Sequence, residues 1–337
     1  MVIKTALLLT FLGVASVRAA DTLEMFVVDT EGGKALILLT PSGQSLLVDA
    51  GYPTADDRDT NRIVAAATAA GIKHFDYIVA THYDVDHAGN VARVDARIPG
   101  RVFVDHGSAM PDAEHDEAYL SYVKAIGNRL RLSLKPGDVV PLEGVRVTVV
   151  TSAGAALSRP LAGAGAPNAL CGSVTRDTGA VTDTSENAGS LGLLYEFGKF
   201  RMIDLADLLG AGEQALMCPV NRIGTVDLLM VSHHGFRVSN SPLFIHAVQP
   251  KVAIMNNGPR KGGEPDVFDV VHGSPGLQDL WQLHTSPSAG AKNAPEELIA
   301  NLQQDCGAKL IHVSARRDGS FTVTNSRNGH SKTYRSE

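Results

Sequence analysis

Residues 81–90 read THYDVDHAGN, so two imidazoles and two carboxylates, His82, Asp84, Asp86 and His87, fall within six consecutive positions directly after the apolar run FDYIVA. No other stretch restricts the fold as strongly. Ionised carboxylates a few ångströms apart are costly unless a cation shares them, and imidazole nitrogens beside them complete a polydentate metal site. In an extended or turning segment leaving a strand, residues 82, 84 and 86 project to one side and His87 turns in after them. That geometry suits two adjacent dications, with His82 and Asp84 on one and Asp86 and His87 on the other. The competing reading is a hydrogen-bonded Asx-turn in a solvated loop, which has little use for four ligand-type side chains.

The flanking sequence says what carries this loop. From Thr22, LEMFVVDTEGGKALILLTPSGQSLLVDAG alternates apolar, β-branched runs with Gly, Pro and Ser punctuation, which predicts three strands, the last ending at Asp49. Residues 57–71 read as an Ala-rich helix stopped by Gly71, and 75–80 as a buried strand delivering His82. RVFVDH (101–106) predicts a strand, 113–131 a helix and EGVRVTVVTS a half-buried strand. Residues 151–187 read as a long surface excursion. SLGLLYEFGKFRMIDLADL resumes as two strands around Phe-Gly-Lys, and VDLLMVSHHG as a core strand ending at two histidines. A low-periodicity stretch from about 256 to 295 precedes short strands around Asp318-Gly319 and Asn328-Gly329 turns. Strand runs dominate both halves, helices lie between them, and no Gly-rich nucleotide fingerprint follows a strand. The class is α+β: two mixed sheets packed face to face with outer helices, a four-layer sandwich. Without repeats or a flexible linker, residues 20–337 read as a single domain, with 250–337 a loop-rich and hairpin extension.

Residues 1–19 carry Lys4, an apolar stretch from Ala6 to Val14 and a small-residue end, the order of a secretory signal peptide. The mature protein is expected to begin near Ala20 or Asp21 and to be secreted or periplasmic, with an uncleaved N-terminal anchor as the competing reading. Cys171, Cys218 and Cys306 permit one disulfide and one free thiol, and none sits in a CxxC pair. A formal net charge of −6 with scattered Lys and Arg gives no footprint for stable nucleic-acid binding. The expected partner is a small-molecule or phosphodiester substrate, with no membrane association after signal cleavage; the sequence leaves the oligomeric state open.

His-x-Asp-x-Asp-His at 82–87 resembles the metallo-β-lactamase superfamily, whose motif is His-x-His-x-Asp-His, and specifically its ComEC-type branch. The resemblance covers most of residues 22–240. It implies an αββα sandwich and assigns roles to residues. Asp49 in LLVDAG matches the family's first motif and is expected to orient the ligand loop. Asp207 in FRMIDLADL matches the bridging Asp, with a helix N-cap as the competing reading. His233 in LLMVSHHG matches the last ligand, with His234 as the competing register. ENAGSLGLL resembles the Asn-x-x-Ser segment of the branch, and Thr184 falls where other members carry a third-motif His. Asn187, Glu186 or water is then left to complete the first metal position. Met230 stands where the branch carries Lys, and Phe236 where it carries Ser.

The expected metal ligands are therefore His82, Asp84, Asp86, His87, Asp207 and His233, with Asp86 and Asp207 catalytic and His234, Asn187 and Asp49 as further candidates. One or two divalent ions are implied, Zn or Mn first, because Asp84 in place of an imidazole hardens the site. The expected activity is hydrolysis by a metal-activated water. Phosphodiesters are the leading substrate class, with lactones, esters and β-lactams as alternatives on the same site. The rival class is a binding module with a degenerate metal site. His106, His246, His272 and His284 lack any such context. Arg237 with Ser239–Ser241 reads equally as an anion contact or a loop cap. NNGPRKGGEP (256–265) offers backbone N–H groups with Arg260 and Lys261 to a phosphate, although a flexible surface loop is the simpler reading.

Overall fold

In the computed structural model, residues 21–336 are described apart from 115, 173–182, 287, 289, 305 and 306. The signal segment expected at 1–19 and Cys306 lie outside the described residues.

The three N-terminal apolar runs form β1 (Thr22–Val27), β2 (Leu36–Leu39) and β3 (Ser45–Val48), paired antiparallel. Helix α1 (Arg58–Ala69) buries Ile63, Ala66 and Ala67, and Gly71, at φ 77°, takes the left-handed conformation that stops it. The chain then enters β4 (Phe75–Val79), parallel to β3, and repeats the crossover through α2 (Val91–Arg97) and β5 (Gly100–Asp105). Helix α3 (Glu117–Ile126) is shorter than the expected 113–131. Gly127 at φ 57° ends it, and residues 130–133 become β6 (Leu130–Ser133), paired parallel to β5.

The second sheet begins with β7 (Val139–Val140), β8 (Arg146–Ser152) and β9 (Ala155–Ala156). Six of the seven residues of β8 are buried, because both its faces are covered; the expected half-buried pattern does not hold. After α4 (Glu186–Gly189), β10 (Gly192–Phe197) and β11 (Phe200–Asp204) form the expected hairpin around Gly198. Four parallel additions follow: α5 (Gly210–Met217) and β12 (Leu228–Met230), α6 (Pro242–Val248) and β13 (Val252–Met255), α7 (Pro265–His272) and β14 (Asp279–His284), then β15 (Ile299–Asn301). The 256–295 stretch therefore contains a helix and a core strand, which its short elements and Gly/Pro punctuation obscured. The chain returns to the first sheet through β16 (Ile311–Arg316), β17 (Ser320–Asn325) and β18 (Ser331–Arg335).

The strand orders are β18-β17-β16-β1-β2-β3-β4-β5-β6 and β15-β14-β13-β12-β11-β10-β8-β7, with β9 paired to β8. Both sheets are mixed. One apolar cluster fills the space between them, drawing Leu23, Leu46 and Val104 from the first and Val147, Met202 and Trp281 from the second. A second cluster lies under α5, α6 and α7, and a third under α1, α2 and α3. Helix layers thus cover both outer faces, which is the expected αββα sandwich. Of the expected 151–187 excursion, residues 151–152 close β8, 155–156 form β9 and Glu186 begins α4, while residues 158–172 run over the surface and are tied to the end of α5 by a Cys171–Cys218 disulfide. Among the described residues no helix is long and apolar enough to cross a membrane.

Candidate metal centre

Strands β3, β4, β11 and β12 all end at one edge of the sandwich, and the loops leaving them supply the site. Asp49 follows β3 at φ 60° and is fully buried. Its Oδ1 accepts from the Thr81 N–H (2.8 Å), and its Oδ2 accepts from the Thr81 hydroxyl (2.7 Å) and His87 Nδ1 (2.9 Å). A carboxylate accepts only, so His87 carries its proton on Nδ1 and turns the Nε2 lone pair inward. Asp49 thus ties the start of the ligand loop, through Thr81, to His87.

Asp86, His87, Asp207 and His234 are all buried, and one ligand atom from each lies within 4.8 Å of the other three. Asp86 Oδ2 is 3.0 Å from His234 Nε2 and 3.5 Å from His87 Nε2. Asp207 Oδ2 is 3.3 Å from both Nε2 atoms, which are themselves 3.3 Å apart. Sharp left-handed turns make this convergence: Ala206 (φ 52°) precedes Asp207, and His233 and His234 (both φ 51°) follow β12. The His233 N–H donates to the Ala206 carbonyl at 2.9 Å and locks the two turns together.

Burial disfavours ionisation of Asp86 and Asp207, yet His87 and His234 hold both carboxyls well below the usual carboxylate range. Burial also opposes protonation of His87 and His234, but Asp207 and its neighbouring carboxylates raise both above the ordinary imidazole value. A buried set of two carboxylates and two imidazoles concentrates acceptor lone pairs that a divalent cation satisfies. His82 Nε2 and Asn187 Oδ1 add two buried polar atoms without a hydrogen-bond partner among the described residues. The residues present fit a metal.

The compact cluster takes His234, the competing register, rather than His233. In the turn over Ser232–Gly235 the His234 ring faces inward, with Nδ1 3.4 Å from the Asn256 carbonyl oxygen, while His233 Nδ1 meets Ser239 Oγ at 3.2 Å. His233 Nε2 still lies 3.6 Å from Asp207 Oδ2, and burial pushes its pKa down to about 4 against the pull of Asp207. His82 packs its ring 4.1 Å from that of His87, and its Nε2 is 3.6 Å from Asp84 Oδ2. Asp84 is 38% exposed at the rim, outside the group of four. Thr184 reaches Asp112 (3.1 Å), and Glu186 accepts from the Tyr83 N–H (2.8 Å) and pairs with His106 (3.0 Å). Neither belongs to the cluster. Arg237 pairs with Glu264, His284 with Asp29, and His246 Nε2 donates to the Val270 carbonyl.

Two lysines escaped sequence reasoning or were set aside by it. Lys34, 4% exposed, places Nζ 2.5 Å from Asp204 and 3.9 Å from Asp49. Lys261 Nζ is 2.5 Å from Asp86 Oδ2 and 3.3 Å from the Tyr52 hydroxyl. A lone Lys before the apolar run ALILL was the available signal for the first.

Residues 30–169 match the family model described as the metallo-beta-lactamase superfamily; the candidate metal site draws Asp86 and His87 from within that match and Asp207 and His234 from beyond it. The chain is also similar to ComE operon protein 3 of Bacillus subtilis (strain 168), at 28% identity over 202 residues, covering 58% of this chain and 22% of that protein. It therefore spans about a fifth of the relative's length. Among solved structures, Igni18, a metallo hydrolase from Ignicoccus hospitalis KIN4/I, aligns at 13% identity and TM-score 0.43, covering 77% of this chain and 94% of that one. CmlA, a diiron beta-hydroxylase from Streptomyces venezuelae, aligns at 15% identity and TM-score 0.41, covering 74% and 49%.

Proposed function

We propose that the protein is an exported metal-dependent hydrolase that cleaves phosphodiesters. One observation carries the reading: Asp86, His87, Asp207 and His234 converge from both sheets into a buried set of ligand atoms within 4.8 Å. Zn or Mn fits this hard, mixed nitrogen and oxygen donor set. When bound, the metal lowers the pKa of a water and neutralises charge developing on the attacked centre. A second metal position is assigned to His82, whose Nε2 lies 3.6 Å from Asp84 Oδ2, to Asp84 itself and to His233, whose Nε2 lies 3.6 Å from Asp207 Oδ2, with the buried Asn187 Oδ1 as a further candidate. His233 then replaces the imidazole that Thr184 does not supply.

The chain's own groups do the remaining work. Asp49 fixes the His87 tautomer, and Asp207, held ionised by His87 and His234, sits between the two histidine turns as the shared carboxylate. Asp84, at the rim, is the carboxylate nearest solvent and the entering substrate. Export is supported by the leader-like N-terminal pattern and by the Cys171–Cys218 disulfide, which persists in oxidising compartments.

The test is metal analysis of purified protein with turnover of bis-p-nitrophenyl phosphate, a lactone and a β-lactam under Mn and Zn. H234A is expected to lose bound metal and all turnover, and H233A to lose at most one ion. Wild-type protein free of metal and inert after Mn or Zn addition refutes the hydrolase and favours a binding module.

A further inference from the structure

The loop joining β13 to α7 is fixed against the metal centre, not the flexible surface loop its composition suggested. The Gly258 N–H donates to the Lys261 carbonyl at 2.8 Å, and the Gly263 N–H to the His234 carbonyl at 2.9 Å. Gly262, at φ 77°, approaches so closely that a Cβ there would collide with the His234 carbonyl oxygen. This anchoring delivers Lys261 to Asp86 and the Tyr52 hydroxyl, with its ammonium 5.7 Å from the Tyr52 ring centroid. Outside it opens a cleft of about 580 Å³ whose lining includes Glu31, Tyr52, Arg58, Val85, Arg260 and Lys261. Val85, 49% exposed, lies between Asp84 and Asp86, so the cleft meets the ligand loop itself.

The charges around this cleft are unequally committed. Arg58 is held by Glu31 (2.7 Å) and Asp59 (2.6 Å), whereas Arg260 stands exposed at the wall. A cation held by the cluster draws on the same Asp86 oxygen that Lys261 contacts. Shared between a dication and an ammonium, that one carboxylate leaves net positive charge facing the cleft, which favours an anionic ligand there.

We propose that Lys261, backed by Arg260, is the anion-recognising residue of this site: it holds a charged phosphoryl oxygen of the substrate and selects anionic over neutral esters. The assignment rests on the hydrolase reading above, but its first readout needs no turnover. Inorganic phosphate is titrated calorimetrically into metal-loaded wild type, K261M, K261R and R260Q. Phosphate affinity is expected to fall about tenfold or more in K261M, as for loss of a charge-assisted hydrogen bond, and to stay near wild type in K261R. The ratio of kcat/KM for bis-p-nitrophenyl phosphate to that for p-nitrophenyl acetate is expected to fall alongside.

A wild-type protein that binds no phosphate overturns the proposal, as does K261M with wild-type metal content, phosphate affinity and ester ratio. If K261M does not fold, R260Q decides, since Arg260 is exposed: phosphate affinity lowered a few-fold with a shallower salt dependence supports the assignment, and no change overturns it. Phosphate binding lost in K261M, with neither ester turned over by wild type, would support Lys261 as the anion contact while ending the hydrolase reading.

Discussion

Replacing Asp49 with Asn keeps the shape of the side chain but reverses half of its hydrogen bonding. The native carboxylate accepts three bonds, at 2.7, 2.8 and 2.9 Å, from the Thr81 hydroxyl, the Thr81 N–H and His87 Nδ1. If the D49N amide oxygen faces the hydroxyl and the imidazole, its NH2 meets the Thr81 N–H, and two buried donors oppose each other. If the amide is flipped, its NH2 meets His87, and the imidazole must move its proton to Nε2, which removes the lone pair aimed at the cluster. The first arrangement costs about 1–3 kcal/mol of stability. The second costs about 10- to 100-fold in metal affinity, which is about 1.4–2.7 kcal/mol. Chelator competition with Mn or Zn measures the affinity, and urea denaturation of the EDTA-treated protein measures the stability. D49N binding metal within twofold of wild type at unchanged stability would refute the argument that Asp49 sets the His87 tautomer.

Other consequences follow from the same chemistry. His87 and His234 sit above the ordinary imidazole pKa in the metal-free cluster, so loading at pH 7 must displace protons, and affinity must rise with pH through their raised values. Calorimetry in buffers of different ionisation enthalpy should then give different apparent heats, and identical heats would contradict this. Asp29 is buried, which alone would raise its pKa, but His284 (2.7 Å) and Arg62 (2.9 Å) depress it below 3.8. Its stabilisation is fully present above pH 3.8 and lost as pH falls through the depressed folded value. D29N should cost about 1–3 kcal/mol at pH 7 by removing the buried carboxylate that faces His284 and accepts from Arg62, and should flatten the acid limb of a denaturation-midpoint profile. The Cys171–Cys218 bond closes a separation of 47 residues. Loop-entropy arithmetic puts its loss in C171S/C218S at about 4 kcal/mol, and an unchanged denaturation midpoint would contradict that figure.

Much of this architecture was legible in the chain. The β1–β3 runs, the Ala-rich helix over α1 and the strand that delivers His82 were placed by apolar runs and Gly, Pro and Ser punctuation, helped in β1 and α1 by the burial of one face. Helix α3 was overextended because Leu130 and Leu132 continue an apolar pattern that Gly127 interrupts, and only pairing with β5 shows that they belong to a strand. The β13–β15 region was hidden for a related reason: strands of three to six residues, fully buried in a parallel stack, show no alternation. At the site, Asp86 and His87 stood out by the chemistry and spacing of the 82–87 segment, and Asp207 by its match to a family motif. The choice between His233 and His234 was not, because neighbouring residues differ only in how a left-handed turn aims them. Lys261 was named as an anion contact but set aside, since nothing in Gly-Pro-Arg-Lys-Gly-Gly shows that two glycines press the loop against a histidine carbonyl.

The division of the four clustered residues has a further meaning. Asp86 and His87 hang from the first sheet, Asp207 and His234 from the second, one carboxylate and one imidazole from each. Neither half of the chain owns a binding site, so uptake of an ion would report that the halves have docked. A chelator would then act on this seam much as a reductant acts on a covalent cross-link.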